Sequence, residues 1–361
     1  MALTRSDVNI RDVASEAGVS TGTVSRVLRG ANGVRAENAA RVHRAVRELG
    51  YAMRGRRPLG SGRKPQRRRT GNLGLYIPNA SPEWASHPLA ALVSRGFDRA
   101  CSESGFHCVT EYSEPDRYIP RMVAEQKVDG LIVKGSTTDW IDCHFGDLPI
   151  IGVNLHQPGL PFDQVNCDDY QSGYMAAEYL WQHGHRRIAF VSSDGTHPMI
   201  LMRYQGYERF MRLFHCFDQD QVHLSEEPQS LPSVPQSGFS NYDDVLQKWK
   251  TLPDHRRPTA TIAANDWSAA GIYNSAAQLN LRIPSDLSVL AFDNNIELCN
   301  MLKPNLTSFK VALEQATYFA AMRLIQKIDF GIEDIHPVVQ SIAGELVERR
   351  SVRTLNAANL S

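Results

Sequence analysis

The sequence predicts a multidomain protein, with a small all-α head, a basic linker and a larger α/β body in two lobes. Three observations lead there. Residues 9–50 contain three short runs of apolar residues at helical spacing. From Leu73 onward, short apolar runs alternate with amphipathic stretches, the pattern of parallel sheets covered by helices. The charge divides along the same line: residues 1–72 hold sixteen Arg/Lys against five acids, a net of +11, so residues 73–361 carry −11. The zero net charge of the 361-residue chain is therefore a cancellation, and the basic part points to a nucleic-acid partner.

The head is read first. Ile10, Val13, Ala14 and Ala17 form one apolar stripe, with Asn9 and Asp12 as a cap at its start and Gly18 as its stop. Val24, Val27 and Leu28 share a face of a second helix, which Ser20 caps and Gly30 ends. Ala39, Val42, Val46 and Leu49 line a third, closed by Gly50. Two helices joined by a three-residue turn containing glycine make a helix-turn-helix, whose second helix enters the major groove. With its apolar face buried, that helix turns Thr21, Gly22, Ser25, Arg26 and Arg29 outward, and Arg26 suits a bidentate contact to guanine.

The string Val8-Asn-Ile-Arg-Asp-Val-Ala-Ser-Glu-Ala-Gly-Val-Ser-Thr-Gly-Thr-Val-Ser-Arg-Val-Leu-Arg-Gly30 resembles the DNA-binding domain of the LacI/GalR family of bacterial transcription regulators. The likeness continues through Val34 to Leu49-Gly50-Tyr51. It implies base reading by Thr21, Gly22 and Arg26, and backbone contacts by Ile10, Ser20, Thr23, Ser25, Arg29, Asn38 and Tyr51. Two departures stand out. Gly22 has no side chain to read with, and Arg35 occupies a place where relatives commonly have a capping serine.

Residues 54–72 are rich in Arg, Gly and Pro, the composition of a flexible or extended connector. The resemblance implies a hinge helix here whose leucine wedges into the minor groove, and Leu59 is the nearest match. Pro58, Gly55, Gly60 and Gly62 all disfavour a helix. Two readings remain: an Arg-rich arm following phosphates or a narrow minor groove, ending near Arg69, or a basic connector adding only non-specific affinity.

In the body, strands are expected at 73–77, 108–111, 130–133, 150–153, 187–191, 259–263 and 287–292. Helices are expected at 88–104, 170–183, 199–214, 266–279 and 313–329. Ligands of such sheets bind beyond the strand carboxyl ends, so a cleft between two lobes is the expected site. Ile188-Ala-Phe-Val, Asn265-Asp266, Leu290-Ala-Phe-Asp-Asn and Leu306-Thr-Ser-Phe resemble the same family's sensor domain, which is similar to periplasmic sugar-binding proteins. The expected division is 1–53 helix-turn-helix domain, 54–72 linker and 73–361 effector-binding and dimerisation domain, with the chain crossing between lobes near 168, 310 and 340.

The resemblance implies effector contacts by Asn154, Arg203, Asn265 and Asp293, amide, carboxylate and guanidinium groups that suit the hydroxyls of a sugar. Asn154 stands where aspartate is frequent in relatives. Trp267 and Trp84 are candidate faces for a sugar ring; Trp267 is equally placed for the core, and Asp266 for a helix cap.

Other chemistries find little support. There is no phosphate loop and no H-E-x-x-H zinc motif. His183-Gly184-His185 reads as a turn, not a metal site, and the scattered cysteines 101, 108, 143, 167, 216 and 299 as buried free thiols. No segment has ~20 apolar residues and the first residues lack a leader pattern, so a cytoplasmic protein associated with the nucleoid is expected. The tail has Leu346, Val347, Val352 and Leu355 but no heptads, and two half-sites call for a homodimer. The function expected is a sequence-specific repressor without enzyme activity, metal or cofactor, controlled by a small effector, most simply a carbohydrate. The alternative is a sugar sensor with only non-specific DNA affinity.

Overall fold

In the computed structural model, residues 9–28, 34–49, 69–78, 80, 82–113, 120–135, 148–225, 240–332 and 336–355 are described. Arg29, Gly30, Gly50, Tyr51, Leu59 and Cys143 lie outside them, as does the linker up to residue 68.

Three helices open the described chain: α1 (Ile10–Ala17), α2 (Thr21–Leu28) and α3 (Ala36–Leu49). The α1 start is a capping box in which Asn9 accepts from the Arg11 amide and Asp12 accepts from the Asn9 amide. It stops at Gly18, whose φ of 60° is left-handed and whose missing Cβ leaves room for the Arg41 guanidinium. Ser20 Oγ accepts from the Thr23 amide at 3.1 Å and so caps α2. Val13, Ala14, Ala17, Val24, Val27, Val42, Ala45 and Val46 form a core belonging to these helices alone.

The rest follows in chain order. β1 (Asn72–Pro78), α4 (Pro88–Ser104), β2 (His107–Ser113), α5 (Arg121–Ala124), β3 (Gly130–Lys134), β4 (Ile150–Val153) and β5 (Asp163–Cys167) come first. Then come α6 (Asp169–Gln182), β6 (Ile188–Ser192), α7 (Pro198–Leu213), β7 (Val222–Leu224), α8 (Asp243–Thr251), β8 (Ala260–Ala263), α9 (Asp266–Gln278) and β9 (Ser288–Phe292). The last are α10 (Ile296–Met301), β10 (Thr307–Lys310), α11 (Leu313–Phe330), β11 (Val339–Ile342) and β12 (Glu345–Val347).

Two compact units result. The first takes Met1–Pro82, Arg95–Gln164 and Thr317–Val339; the second takes Glu83–Ser94, Val165–Ala316 and Gln340–Ser361. The first sheet has the order β11-β5-β4-β3-β1-β2, with β2, β1, β3 and β4 parallel. In the first unit, Asp163 holds Lys327 and Arg323 of α11 and accepts from the Val338 amide, a buried tie that the sequence did not signal.

The second sheet has the order β12-β10-β9-β8-β6-β7 and is parallel except for β12. Its central strands β6, β8 and β9 are buried on both faces. Ile188 and Phe190 of β6 pack with α6 and α7, while Ala189 and Val191 pack with α8 and α9. That two-sided cover explains why the strands read as continuous apolar runs. The chain steps outward from β6 to β7 and then inward past β6 to β8, so the order reverses beside β6, the kind of point where such sheets take ligands. β5, β7, β10, β11, β12, α8 and α10 lacked a strong period in the sequence, and the weakest of them are edge pieces with exposed residues. Leu346 and Val352 of the tail pack on the second unit's core.

The described cysteines are free thiols, but Cys108 is exposed and Cys216 half-buried, because the first opens an edge strand and the second follows a helix end.

Ser20→Ala removes the α2 cap at a cost of about 1 kcal/mol. Amide exchange measured on the full chain should speed up about fivefold along α2, with α6 and α7 unchanged.

Candidate functional site

On the head, Thr21, Gly22 and Arg26 are exposed, and Ile10, Thr23, Ser25 and Asn38 are half-buried. The exposed three lie within the first six residues of α2, the part of a helix-turn-helix that meets base edges. Arg26 Nε reaches back to the Gly22 carbonyl at 3.4 Å, which draws the guanidinium toward the helix start. Ser20 and Thr23 share a hydroxyl–hydroxyl hydrogen bond of 2.9 Å, so both also serve the cap. Gly18-Val19-Ser20-Thr21-Gly22 has the letters of a hydrolase nucleophile elbow, but here it links two helices, with no strand leading into it.

In the second unit, Arg203 on α7 is 3% exposed and ties three segments together. Its Nε donates to Asp169 at 2.8 Å, Nη1 to the Ala264 carbonyl at 2.6 Å and Nη2 to Asp293 at 3.1 Å. Burial works against its charge, and the Asp169 and Asp293 carboxylates overcome that, raising its pKa above the ordinary arginine value. Three of its five N–H groups are used in these hydrogen bonds. Asp293 follows β9 with a φ of 97°, a rare conformation for a residue with a side chain, and its amide donates to the Phe309 carbonyl.

Asp169 is the member that sequence reasoning missed. Asp168 and Asp169 stand together at the start of α6; Asp168 caps the helix, and its neighbour turns inward to the arginine. Two adjacent acids at a helix start, one more than a cap needs, was the available signal.

At the start of α9 the structure decides which of two neighbours is the cap. Asn265 is the cap, its side chain accepting from the Ser268 amide at 2.7 Å. Asp266, the expected cap, is instead fully buried, accepting from Ser308 Oγ, the Asn295 amide and Cys299 Sγ. Burial, and then the nearby Asp293 carboxylate, push its carboxyl up to about 7 against those three donors.

Trp267 is half-buried and Trp84 buried at 5% exposure. Asn154 belongs to the first unit, at the end of β4, with a φ of 52° and its Oδ1 3.2 Å from His156 Nε2. The structure thus joins Arg203 and Asp293 directly and sets Asp266 near Asp293. His183 caps α6, and both ring nitrogens of His185 are engaged, by Thr259 and by the Arg353 carbonyl, while burial pulls its pKa down to about 4. Among the described residues no cluster of His, Cys, Asp and Glu could hold a metal, and no helix is long and apolar enough to cross a membrane.

Asp169→Ala leaves a buried guanidinium one carboxylate short and should lower the urea-unfolding free energy by about 3–5 kcal/mol; Asp168→Ala, which removes only a cap, should cost about 1 kcal/mol. Asp266 yields a pH prediction. Between about pH 4, where the unfolded carboxyl ionises, and about 7, the folded group still holds its proton. Stability should therefore fall as pH rises through that window and level off above it. His185 acts with the opposite sign below its ordinary pKa of 6.5. The readout is thus the difference between wild type and Asp266→Asn, whose amide reproduces the protonated acid and should lack the Asp266 slope.

Comparison with known proteins agrees with this geometry. Bacterial regulatory proteins of the lacI family match residues 9–53, and a periplasmic binding protein-like domain matches residues 177–352. The HTH-type transcriptional repressor PurR of Histophilus somni (strain 2336) is 28% identical over 356 residues, 96% of this chain and 99% of that one. PurR of Vibrio vulnificus (strain CMCP6) is 29% identical over 362 residues, with 96% and 99% covered. Among solved structures, the transcriptional regulator CelR–cellobiose complex superposes with a TM-score of 0.67 at 24% identity, covering 95% of this chain and 99% of that one. The lac repressor dimer bound to operator and the anti-inducer ONPF gives 0.61 at 20% identity, with 96% and 99% covered. The helix-turn-helix head, the two α/β sheets and these relatives place the chain in the LacI/GalR family of bacterial transcription regulators.

Proposed function

We propose that this regulator is a repressor that binds a pseudopalindromic operator as a homodimer, and that a small polar effector, a carbohydrate, controls its affinity from the carboxyl-end region of the second sheet. The observation that carries the effector assignment is the Arg203–Asp293 pair. It sets a half-open carboxylate and a guanidinium side by side, donor and acceptor at the spacing of adjacent hydroxyls. Asn265 adds its amide nitrogen and Trp267 an aromatic face; Asn154 and Trp84 keep the effector roles that the sequence implies. The CelR structure, named for its cellobiose complex, and a LacI-family regulator solved with bound ribose support a sugar. In the head, Thr21 and Arg26 read bases, with Ile10, Ser20, Thr23, Ser25 and Asn38 on the backbone; Arg29, Tyr51 and Leu59 keep the roles that the resemblance implies.

A second reading rests on Gly22, exposed and without a side chain at a base-reading position. In that case the head holds DNA without choosing among sequences.

Binding to DNA selected from a random pool, compared with bulk DNA at one salt concentration, separates the two. A ratio of ~10³ or more supports the operator reading, and one below ~10 defeats it. Arg26→Ala should cost about 1–3 kcal/mol on selected DNA and almost nothing on bulk DNA. For the effector, a thermal-shift panel of mono- and disaccharides and nucleobases is the screen, since a ligand at 100 times its Kd adds ~2.7 kcal/mol. Asp293→Asn should abolish the shift without unfolding the protein, which Arg203→Ala would confound because the buried Asp169 and the partly buried Asp293 both lose their partner. A panel in which only nucleobases raise the Tm overturns the carbohydrate assignment.

A further inference from the structure

Arg67, Arg68 and Arg69 are indistinguishable in the sequence, the last basic residues before the body. The third is among the described residues. Arg69 Nη1 donates to Asp329 at 2.8 Å and Nη2 to the Ile328 carbonyl at 2.9 Å, so its fork grips the last turn of α11. A cation suits that position, where the helix carbonyls are left without amide partners. Arg69 therefore does not extend the DNA-following arm expected from composition; it is bound to the body.

The next two residues are held as firmly. Asp129, only 8% exposed, takes the Thr70 amide on both carboxylate oxygens at 2.9 and 3.0 Å and the Gly71 amide at 2.8 Å. Its own amide donates to the Asn72 carbonyl at 2.8 Å, and Asn72 Nδ2 donates to the Lys127 carbonyl. Gly71 adopts a φ of 75° and accepts from the His107 amide. A buried carboxylate that accepts from the backbone N–H groups of the segment entering β1 acts as a fastener for that segment. No residue of the DNA-reading face or of the Arg203 cluster takes part.

We propose that Asp129, with Asp329 and Arg69, is the anchor that fixes where the tether of the DNA-binding head leaves the body, and that this anchor sets the operator half-site spacing the dimer accepts. The inference rests on the operator-binding reading. Releasing residues 69–71 lengthens each tether by three residues, up to ~10 Å. That distance equals about three base-pair steps of ~3.4 Å, enough to blur a spacing rule. Asp129, Asp329 and Arg69 are thus positioning residues: they touch no DNA, yet they decide how far the heads reach.

The test uses the full chain and a DNA site selected from a random pool by the wild-type protein. Affinity is measured at the selected half-site spacing and with one and two base pairs added or removed. Wild type should lose at least tenfold off its optimum, whereas Arg69→Gln and Asp129→Asn should fall only about threefold. Spacing profiles in both variants that coincide with wild type overturn the proposal. Should Asp129→Asn not fold, Arg69→Gln and Asp329→Asn, whose side chains lie on the surface, carry the same test. Tryptic mapping checks the anchor independently of DNA. The stable wild-type fragment should begin at Arg69 or earlier, and that of Asp129→Asn or Asp329→Asn at Thr70; equal cleavage after Arg69 in wild type and variants removes the anchor. A wild type that selects no sequence defeats the operator reading and with it the spacing role, while the tryptic map still decides the anchor.

Discussion

A guanidinium in the interior demands acceptors, and Arg203 collects them from three separate stretches of chain. Asp169 comes from the start of α6, the Ala264 carbonyl from the end of β8, and Asp293 from the end of β9. None of these is near Arg203 in sequence, so each must be delivered by the sheet and the helix pair before the charge can be buried at all. The left-handed turn at Asp293 is part of the cost, met by the hydrogen bond from its backbone N–H to the Phe309 carbonyl and by the arginine itself. A constraint of this type couples these segments: whatever alters Asp293 is felt at β8 and α6 through one side chain.

Asp266 adds a second layer. Its burial beside Asp293 leaves two carboxylates competing for little solvent, with Ser308, Asn295 and Cys299 supplying donors to one of them. Residues that read as an ordinary helix start in the sequence therefore hold a group that ionises near neutrality.

Much of this was legible from residues alone. The head was readable because capping chemistry, left-handed glycine and apolar period agreed at Asn9, Gly18 and Ser20. The buried strands of the second sheet were readable because both faces are covered, which leaves runs such as Ile188–Ser192 without polar interruption. What stayed hidden depends on contacts distant in sequence. Nothing local distinguishes Asp169 from Asp168 as the partner of Arg203, Asp129 from the other surface-spaced acids as a backbone fastener, or Arg69 from Arg68. The capping of α9 by Asn265 and not by Asp266 had the same cause: either residue can cap a helix, and the position of Ser308, 42 residues beyond Asp266, favours the one that turns inward.

The approach of α6 and α7 has a consequence for how such a regulator diversifies. A Cβ on Gly173 would overlap the carbonyl of Arg203, and one on Gly206 would overlap that of Tyr170. The helix carrying Asp169 and the helix carrying Arg203 therefore lie backbone against backbone, closer than any other residue type permits. Side chains around the proposed effector region can be exchanged, by evolution or by an engineer, to fit a different effector. The two glycines cannot be traded in the process, because they set the distance across which the Asp169–Arg203 pair is made. Retuning what the protein senses is open to many substitutions, but the lever beneath that recognition has only one length.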